Sequence, residues 1–254
     1  VTGTGSQTAE QSGAKRAIVL EGVSRWFGTE PGVREVSLTV PIGQSLGVIG
    51  PNGSGKTTLL NVMAGHTAPT LGERFYRDEN GDRQPLPREC IGYAGHELMI
   101  YEQLSPVENL SFFATLYGME AAGDRIGHLL DTLNLAGRSE DRVNDLSSGM
   151  KKKLSLCRAL LHAPDVLVLD EPFRGLDRSS REKIEDLLED FVENRGTILL
   201  ASHRFREIRR FCRQVLILED TKPVWCGEPP SGQELETVYQ ERLQGTTIEK
   251  EEGA

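Results

Sequence analysis

The chain has 254 residues, 37% of them hydrophobic and 26% charged, with a formal net charge of −9. That length holds one large domain with a sizeable core, or a core with an inserted subdomain. The acidic balance argues against sequence-independent nucleic-acid binding, which needs a basic face, so no nucleic-acid partner is expected. The one basic run, Lys151-Lys152-Lys153, reads as a solvated helix face. Cys90, Cys157, Cys212 and Cys226 are scattered, with no CxxC pair and no metal-ligand spacing, as expected of reduced thiols in a cytosolic protein. No secretory signal is read at the N-terminus, and no apolar run approaches the ~20 residues that span a bilayer. Any membrane role is expected to come through a partner.

Residues 1–16 are rich in Gly, Ser, Thr and Gln without periodicity, and read as a disordered lead. A strand begins at Ala17–Leu20. Val36, Leu38 and Val40 alternate with Ser37 and Thr39, as a half-buried strand does. Between them Trp26-Phe27-Gly28 puts two aromatics before a turn, where a ring either stacks on a nucleobase or fills the core.

Next comes the stretch on which the rest depends. The short apolar run Leu46-Gly47-Val48-Ile49 leads into Gly50-Pro51-Asn52-Gly53-Ser54-Gly55-Lys56-Thr57-Thr58, and an apolar helical pattern follows over 59–64. Strand, glycine-rich turn and helix are the context that a phosphate-binding loop requires. The glycines let successive N–H groups point inward at phosphate oxygens, and the helix start adds the positive end of its dipole. Lys56 can reach the β- and γ-phosphates, and the Thr57 hydroxyl can ligate Mg²⁺.

Gly65 suits the end of that helix. Residues 66–90 carry turn formers and charges, with 76–89 expected to be exposed. Ile91-Gly92-Tyr93-Ala94 predicts a short strand running into a loop at Gly95-His96-Glu97. Ser105-Pro106-Val107-Glu108 has the cap, the first-turn proline and the glutamate three residues on that start a helix, which stops at Gly118. Asp124–Leu135 repeats the helical pattern, with Ile126, Leu129, Leu130 and Leu133 on one face. Two helices without an intervening strand predict a helical insert in an α/β core. Another helix opens at Asp145-Leu146-Ser147-Ser148-Gly149 and ends at Ala163-Pro164. Val166–Leu169 fits a strand buried on both faces of a parallel sheet and ends in Asp170-Glu171. Ser179-Ser180-Arg181-Glu182 predicts a capped helix closed by Gly196. Strands follow at Thr197–Ala201, with Ser202-His203 at its end, and at Val215–Leu218. Residues 236–254 read as an acidic, loosely ordered tail.

In open α/β sheets ligands gather beyond the carboxyl ends of the strands. Three predicted ends carry polar groups: the loop after Ile49, Asp170-Glu171, and Ser202-His203. Asp170 suits a Mg²⁺ partner shared with Thr57; Glu171 could orient or deprotonate an attacking water; His203 could contact a γ-phosphate. Taken singly, each has a structural alternative: a turn cap before Pro172, or a packed imidazole. All three would converge on one phosphate pocket, which favours the chemical reading.

With these residues in view, 17–228 resembles the nucleotide-binding domain of an ABC transporter. The marks are GPNGSGKTT (50–58), LSSGMKKKLSLCRALLHAPDVLVLDEP (146–172), GLD (175–177) and Ser202-His203. The resemblance implies an α/β P-loop NTPase core with a mostly parallel sheet, an N-terminal antiparallel β subdomain and an inserted helical subdomain over about 92–160, within an ATPase domain at 17–235. It implies ATP and Mg²⁺ as cofactors. By motif, Phe27 matches the adenine-stacking aromatic, Asp170 the Mg²⁺-linked aspartate, Glu171 the catalytic glutamate and His203 the switch histidine. Ser147 and Gly149 match the signature that grips the γ-phosphate of the other subunit's ATP, and Asp177 the aspartate at the dimer interface. One chain thus holds two half-sites, and a two-fold homodimer is implied.

Two departures stand out. Ser148 and Met150 replace the signature's usual Gly and Gln, and the helix start remains available. His96 stands where the family has a glutamine near Mg²⁺ and the attacking water; a histidine there would change charge near neutral pH. Gly95-His96 is also similar to the ATP-binding subunit of the haem exporter of cytochrome c maturation. The expectation is therefore an ATPase subunit at the cytoplasmic face of the membrane, driving transmembrane permease subunits of exporter type, with haem as the cargo that the Gly95-His96 resemblance implies. The alternatives are the ATPase of a drug or ABC-2 type exporter, a soluble non-transport ABC ATPase, or a regulatory module without turnover.

Overall fold

Two sheets organise the molecule. The computed structural model describes residues 16–85, 87–228 and 235–241. The first sheet is antiparallel and built from β1 (Ala17–Phe27), β2 (Glu30–Pro41), β4 (Leu71–Arg77) and β5 (Arg83–Gln84), in the order β2-β1-β4-β5. The alternation of Val36, Leu38 and Val40 does what its period requires: these three are buried, while Ser37 and Thr39 face out.

The second sheet carries the larger core. It comprises β3 (Leu46–Ile49), β6 (Ile91–Ala94), β7 (Val166–Asp170), β8 (Thr197–Ala201), β9 (Gln214–Glu219) and β10 (Lys222–Gly227), in the order β10-β9-β3-β8-β7-β6. All neighbours run parallel except the β9–β10 hairpin. β3, β7 and β8 are buried at every residue, because helices cover both faces of the sheet. Their side chains split by alternation. Val166 and Val168 pack with Leu59 and Leu60 of α1 (Lys56–Met63), whereas Leu167 and Leu169 pack with Ile184 and Leu188 of α5 (Arg178–Glu193) and Ile208 of α6 (Phe205–Phe211). The expected mostly parallel sheet and N-terminal antiparallel subdomain are both present.

Between β6 and β7 lie α2 (Pro106–Leu116), α3 (Gly123–Thr132) and α4 (Ser148–Leu160), which form the helical insert. The predicted start of α2 is realised in full. Ser105 Oγ accepts from the Glu108 N–H at 3.2 Å, and the Glu108 carboxylate accepts from the Ser105 N–H at 2.8 Å. β6 itself is hydrogen-bonded to β7, so the insert's helices begin after it rather than near 92.

Four expectations change. α3 ends at Thr132, with Leu133 as its cap residue, rather than continuing to Leu135. The cap of α5 is Asp177, not Ser179: its carboxylate accepts from Ser180 N at 2.8 Å and Ser180 Oγ at 2.9 Å, which leaves Ser179 inside the first turn. β10 adds a strand at Lys222–Gly227, where the sequence pattern predicts none. Finally, 235–241 is helical, with Leu235 and Val238 buried and the Tyr239 ring 5.3 Å from that of Phe205, where a loose tail was expected from 236. The rest of the lead and tail, at 1–15 and 242–254, lies outside the described residues. Among the described residues no helix is long and apolar enough to cross a membrane.

Candidate functional site

The glycine-rich loop joins the buried end of β3 to α1. Gly55, the residue before α1, has φ +95°, a left-handed conformation, and a Cβ there would sit 2.2 Å from the Gly32 carbonyl. Gly50 is required for a different reason: a Cβ would fall 2.3 Å from the Leu218 carbonyl and 2.5 Å from Ser54 Oγ. With no side-chain cap on α1, its first N–H groups are left facing the loop. Ser54 Oγ, within the loop, is buried with no hydrogen-bond partner among the described residues. Lys56 Nζ folds back and donates to the Gly50 and Pro51 carbonyls, each at 2.9 Å. Partial burial lowers the Lys56 pKa, against the pull of Glu171 and Asp170 nearby.

Strand order brings the other groups to this loop. β3 lies beside β8, and β8 beside β7, so their carboxyl ends open at one edge. Thr57 Oγ1 donates to Asp170 Oδ2 at 2.6 Å across 113 residues of sequence. Asp170 is 8% exposed. Burial raises its pKa; the Thr57 hydrogen bond opposes this, the Glu171 charge adds to it, and Lys56 and His96 offset part. Glu171 follows with φ +52°, a strained value for a residue with a side chain, and its N–H donates to the Ala201 carbonyl at 2.9 Å. Its carboxylate accepts from the His203 backbone N–H at 3.0 Å, while His203 Nδ1 lies 2.9 and 2.8 Å from its two oxygens. A carboxylate and an imidazole thus stand as a pair over the strand ends.

A cavity of about 650 Å³ gathers these residues. Phe27, Asn52, Gly53, Gly55, Lys56, Thr57, Thr58, His96, Asp170, Glu171 and His203 all line it, together with Pro31, Gly32 and Arg174, which no motif singled out. Phe27 is 53% exposed, with the Arg25 guanidinium 4.8 Å from its ring centre, so it is not a core aromatic. His96 is exposed and also borders a second cavity of about 430 Å³, beside Ser148 and Lys152, and a third beside His66 and Tyr93. Three sequence candidates stand apart from the 650 Å³ cavity. Ser147 is exposed at the N-terminus of α4, where its hydroxyl accepts from Met150 N at 3.3 Å. Gly149 lies in the first turn of α4, and Asp177 is exposed at the start of α5.

Such a loop at the head of a parallel sheet, facing a buried aspartate, places the molecule among the P-loop nucleoside triphosphatases. Comparison with known proteins narrows this. The family model described as ABC transporter matches residues 33–174. The Nod factor export ATP-binding protein I of Rhizobium sp. (strain N33) is 35% identical over 219 residues, which cover 85% of this chain and 72% of that protein. An uncharacterised ABC transporter ATP-binding protein of Methanocaldococcus jannaschii is 33% identical over 216 residues, covering 84% and 78%. Among solved structures, an ATP-binding subunit of an ABC transporter superposes with a TM-score of 0.80 at 25% identity, over 89% of this chain and 99% of the other. A dimeric cassette bound to ADP and Pi shares the fold, with a TM-score of 0.74 at 24% identity, over 83% and 98%. The chain belongs to the ATP-binding subunits of ABC transporters, and it is an ATPase that binds ATP.

Proposed function

We propose that this ATPase powers a membrane permease of exporter type, as one half of a head-to-tail homodimer at the cytoplasmic face of the membrane. The observation that carries the site assignment is the convergence of Lys56, Thr57, Asp170, Glu171 and His203 on one cavity. Phe27, at the rim, stacks on the adenine. The loop N–H groups and the Ser54 hydroxyl, buried with no partner among the described residues, donate to phosphate oxygens. Lys56 exchanges its two carbonyl contacts for the β- and γ-phosphates.

Mg²⁺ fits the residues present. A hydroxyl and a buried carboxylate, 2.6 Å apart, are hard oxygen donors of the kind it takes. Thr57 and Asp170 would hold the ion, which when bound neutralises charge on the β- and γ-phosphates. Glu171 accepts the proton of the attacking water. His203 orients Glu171 through the contacts at 2.8–3.0 Å and faces the γ-phosphate. His96, on the loop where the family has glutamine, borders the same cavity and couples it to the permease side.

The exposed Ser147, Gly149 at the start of α4, and Asp177 complete the partner's pocket: a helix N-terminus whose capping hydroxyl accepts from Met150 N and keeps its own proton to donate suits a γ-phosphate. Support for the exporter reading comes from relatives named for Nod factor export. The resemblance to the haem exporter at Gly95-His96 is not supported by those relatives, so the proposal stops at exporter.

Glu171→Gln tests the site. The amide keeps the shape and loses the base, so turnover should fall by about 100-fold or more while ATP still binds and a dimer accumulates on size-exclusion chromatography. Undiminished hydrolysis would remove Glu171 from its role.

A further inference from the structure

Glu207 lies on α6, one helical turn past His203, and no motif singles it out. It is 4% exposed, unusual burial for a carboxylate. Its Oε2 accepts from Ser202 Oγ at 2.5 Å. Its Oε1 is 2.9 Å from Arg181 Nη2, in an ion pair. Ser202 is fully buried, and its hydroxyl also accepts from the Arg204 backbone N–H at 3.1 Å. The residues before and after His203 are thus both held to one oxygen, and that oxygen is held to Glu207. Arg181 belongs to the first turn of α5, four residues after its cap Asp177, and its guanidinium lies 5.3 Å from the Phe173 ring centre.

We propose that Glu207 is a positioning residue for hydrolysis. Through Ser202 it fixes the backbone that presents His203 to Glu171. Through Arg181 it ties that backbone to α5, the helix that begins at Asp177. A buried ion pair is a weak device for stability alone, since its desolvation cancels much of its attraction. As a rigid link between two chain segments it sets geometry, and displacement of a reacting group by about 1 Å costs on the order of 100-fold in rate. The inference rests on the reading of His203 given above.

The test is steady-state ATP hydrolysis by the full chain carrying Glu207→Gln, Ser202→Ala, both together, or His203→Ala, with thermal melting of each variant. Glu207→Gln and Ser202→Ala should each lower kcat about 10- to 100-fold. KM for ATP should stay within about twofold, because the phosphate loop and Phe27 are untouched. The double variant should be no slower than the slower single one, since both break one linkage. A purely structural role would lower the melting temperature and spare kcat per folded molecule. If Glu207→Gln does not fold, Ser202→Ala decides alone, as it removes one oxygen. The inference is overturned if either variant turns over within twofold of wild type while His203→Ala is inactive, or if the two losses multiply. A fully active His203→Ala would instead bring down the role proposed for His203, and this inference with it.

Discussion

Asp170→Asn separates what the buried carboxylate does for ATP from what it costs the fold. Asp170 is 8% exposed, and its carboxylate sits beside the Glu171 charge. Burial raises its pKa above 3.8, so the folded protein holds this proton more tightly than the unfolded chain. The stabilising contribution is full below the unfolded value and is lost as pH rises through the folded value. At pH 7 the carboxylate is therefore a net burden on the protein without nucleotide. Asparagine keeps an oxygen to accept from Thr57 Oγ1 and removes the charge; its amide nitrogen lies at a residue lining two cavities, where water reaches it. The expected gain is about 1 kcal/mol, the scale seen on relieving a functional site, or roughly 2–4 °C in melting temperature for a chain of this size. The assay is calorimetry of both proteins, without nucleotide, from pH 7 downward. The asparagine variant should lead at pH 7, and the two should converge toward pH 3.8. With Mg²⁺ and ATP added the order should reverse, because the variant has lost one of its metal-binding oxygens. A variant less stable than wild type at pH 7 without nucleotide would refute the reasoning.

Two further substitutions probe the rim of the site and the insert. Phe27→Ala should raise KM for ATP about fivefold or more, since stacking on a base contributes roughly 1–3 kcal/mol, and should leave kcat nearly unchanged; a KM within twofold of wild type would take Phe27 out of adenine binding. Asn109 is 1% exposed; its Oδ1 accepts from Tyr101 N at 2.7 Å, and its Nδ2 donates to the Tyr101 and Ser105 carbonyls at 2.9 and 3.0 Å. Asn109→Ala should therefore lower stability in urea by about 2–3 kcal/mol with KM for ATP unchanged, and a loss under 1 kcal/mol would mean that water replaces the amide.

What was legible in the sequence was what short-range chemistry fixes. The phosphate loop needs nine consecutive residues, and the capping box at Ser105 needs four, so both could be found without the rest of the fold. The cap of α5 was misplaced because Asp177, Ser179 and Ser180 all have capping side chains within one turn. The carboxylate wins by taking both Ser180 N and Ser180 Oγ, a choice that residue type alone does not decide. β10 was missed because its hairpin turns at Asp220-Thr221, with φ +46° and +66°, without the glycine that usually marks such a turn, and because its edge position leaves it half exposed.

The site itself depends on a longer-range fact. Thr57 meets Asp170, and Glu171 meets His203, only because β8 is inserted between β3 and β7, an order that no local pattern encodes. That order also accounts for Glu207. His203 sits at the exit of the central strand β8, so the residues that hold it in place come from the helix that follows, α6, and the helix that precedes, α5. The motif supplies the reacting groups, and the link from Ser202 through Glu207 to Arg181 supplies their alignment. It is built from residue types that occur on any helix surface, and only their burial distinguishes them.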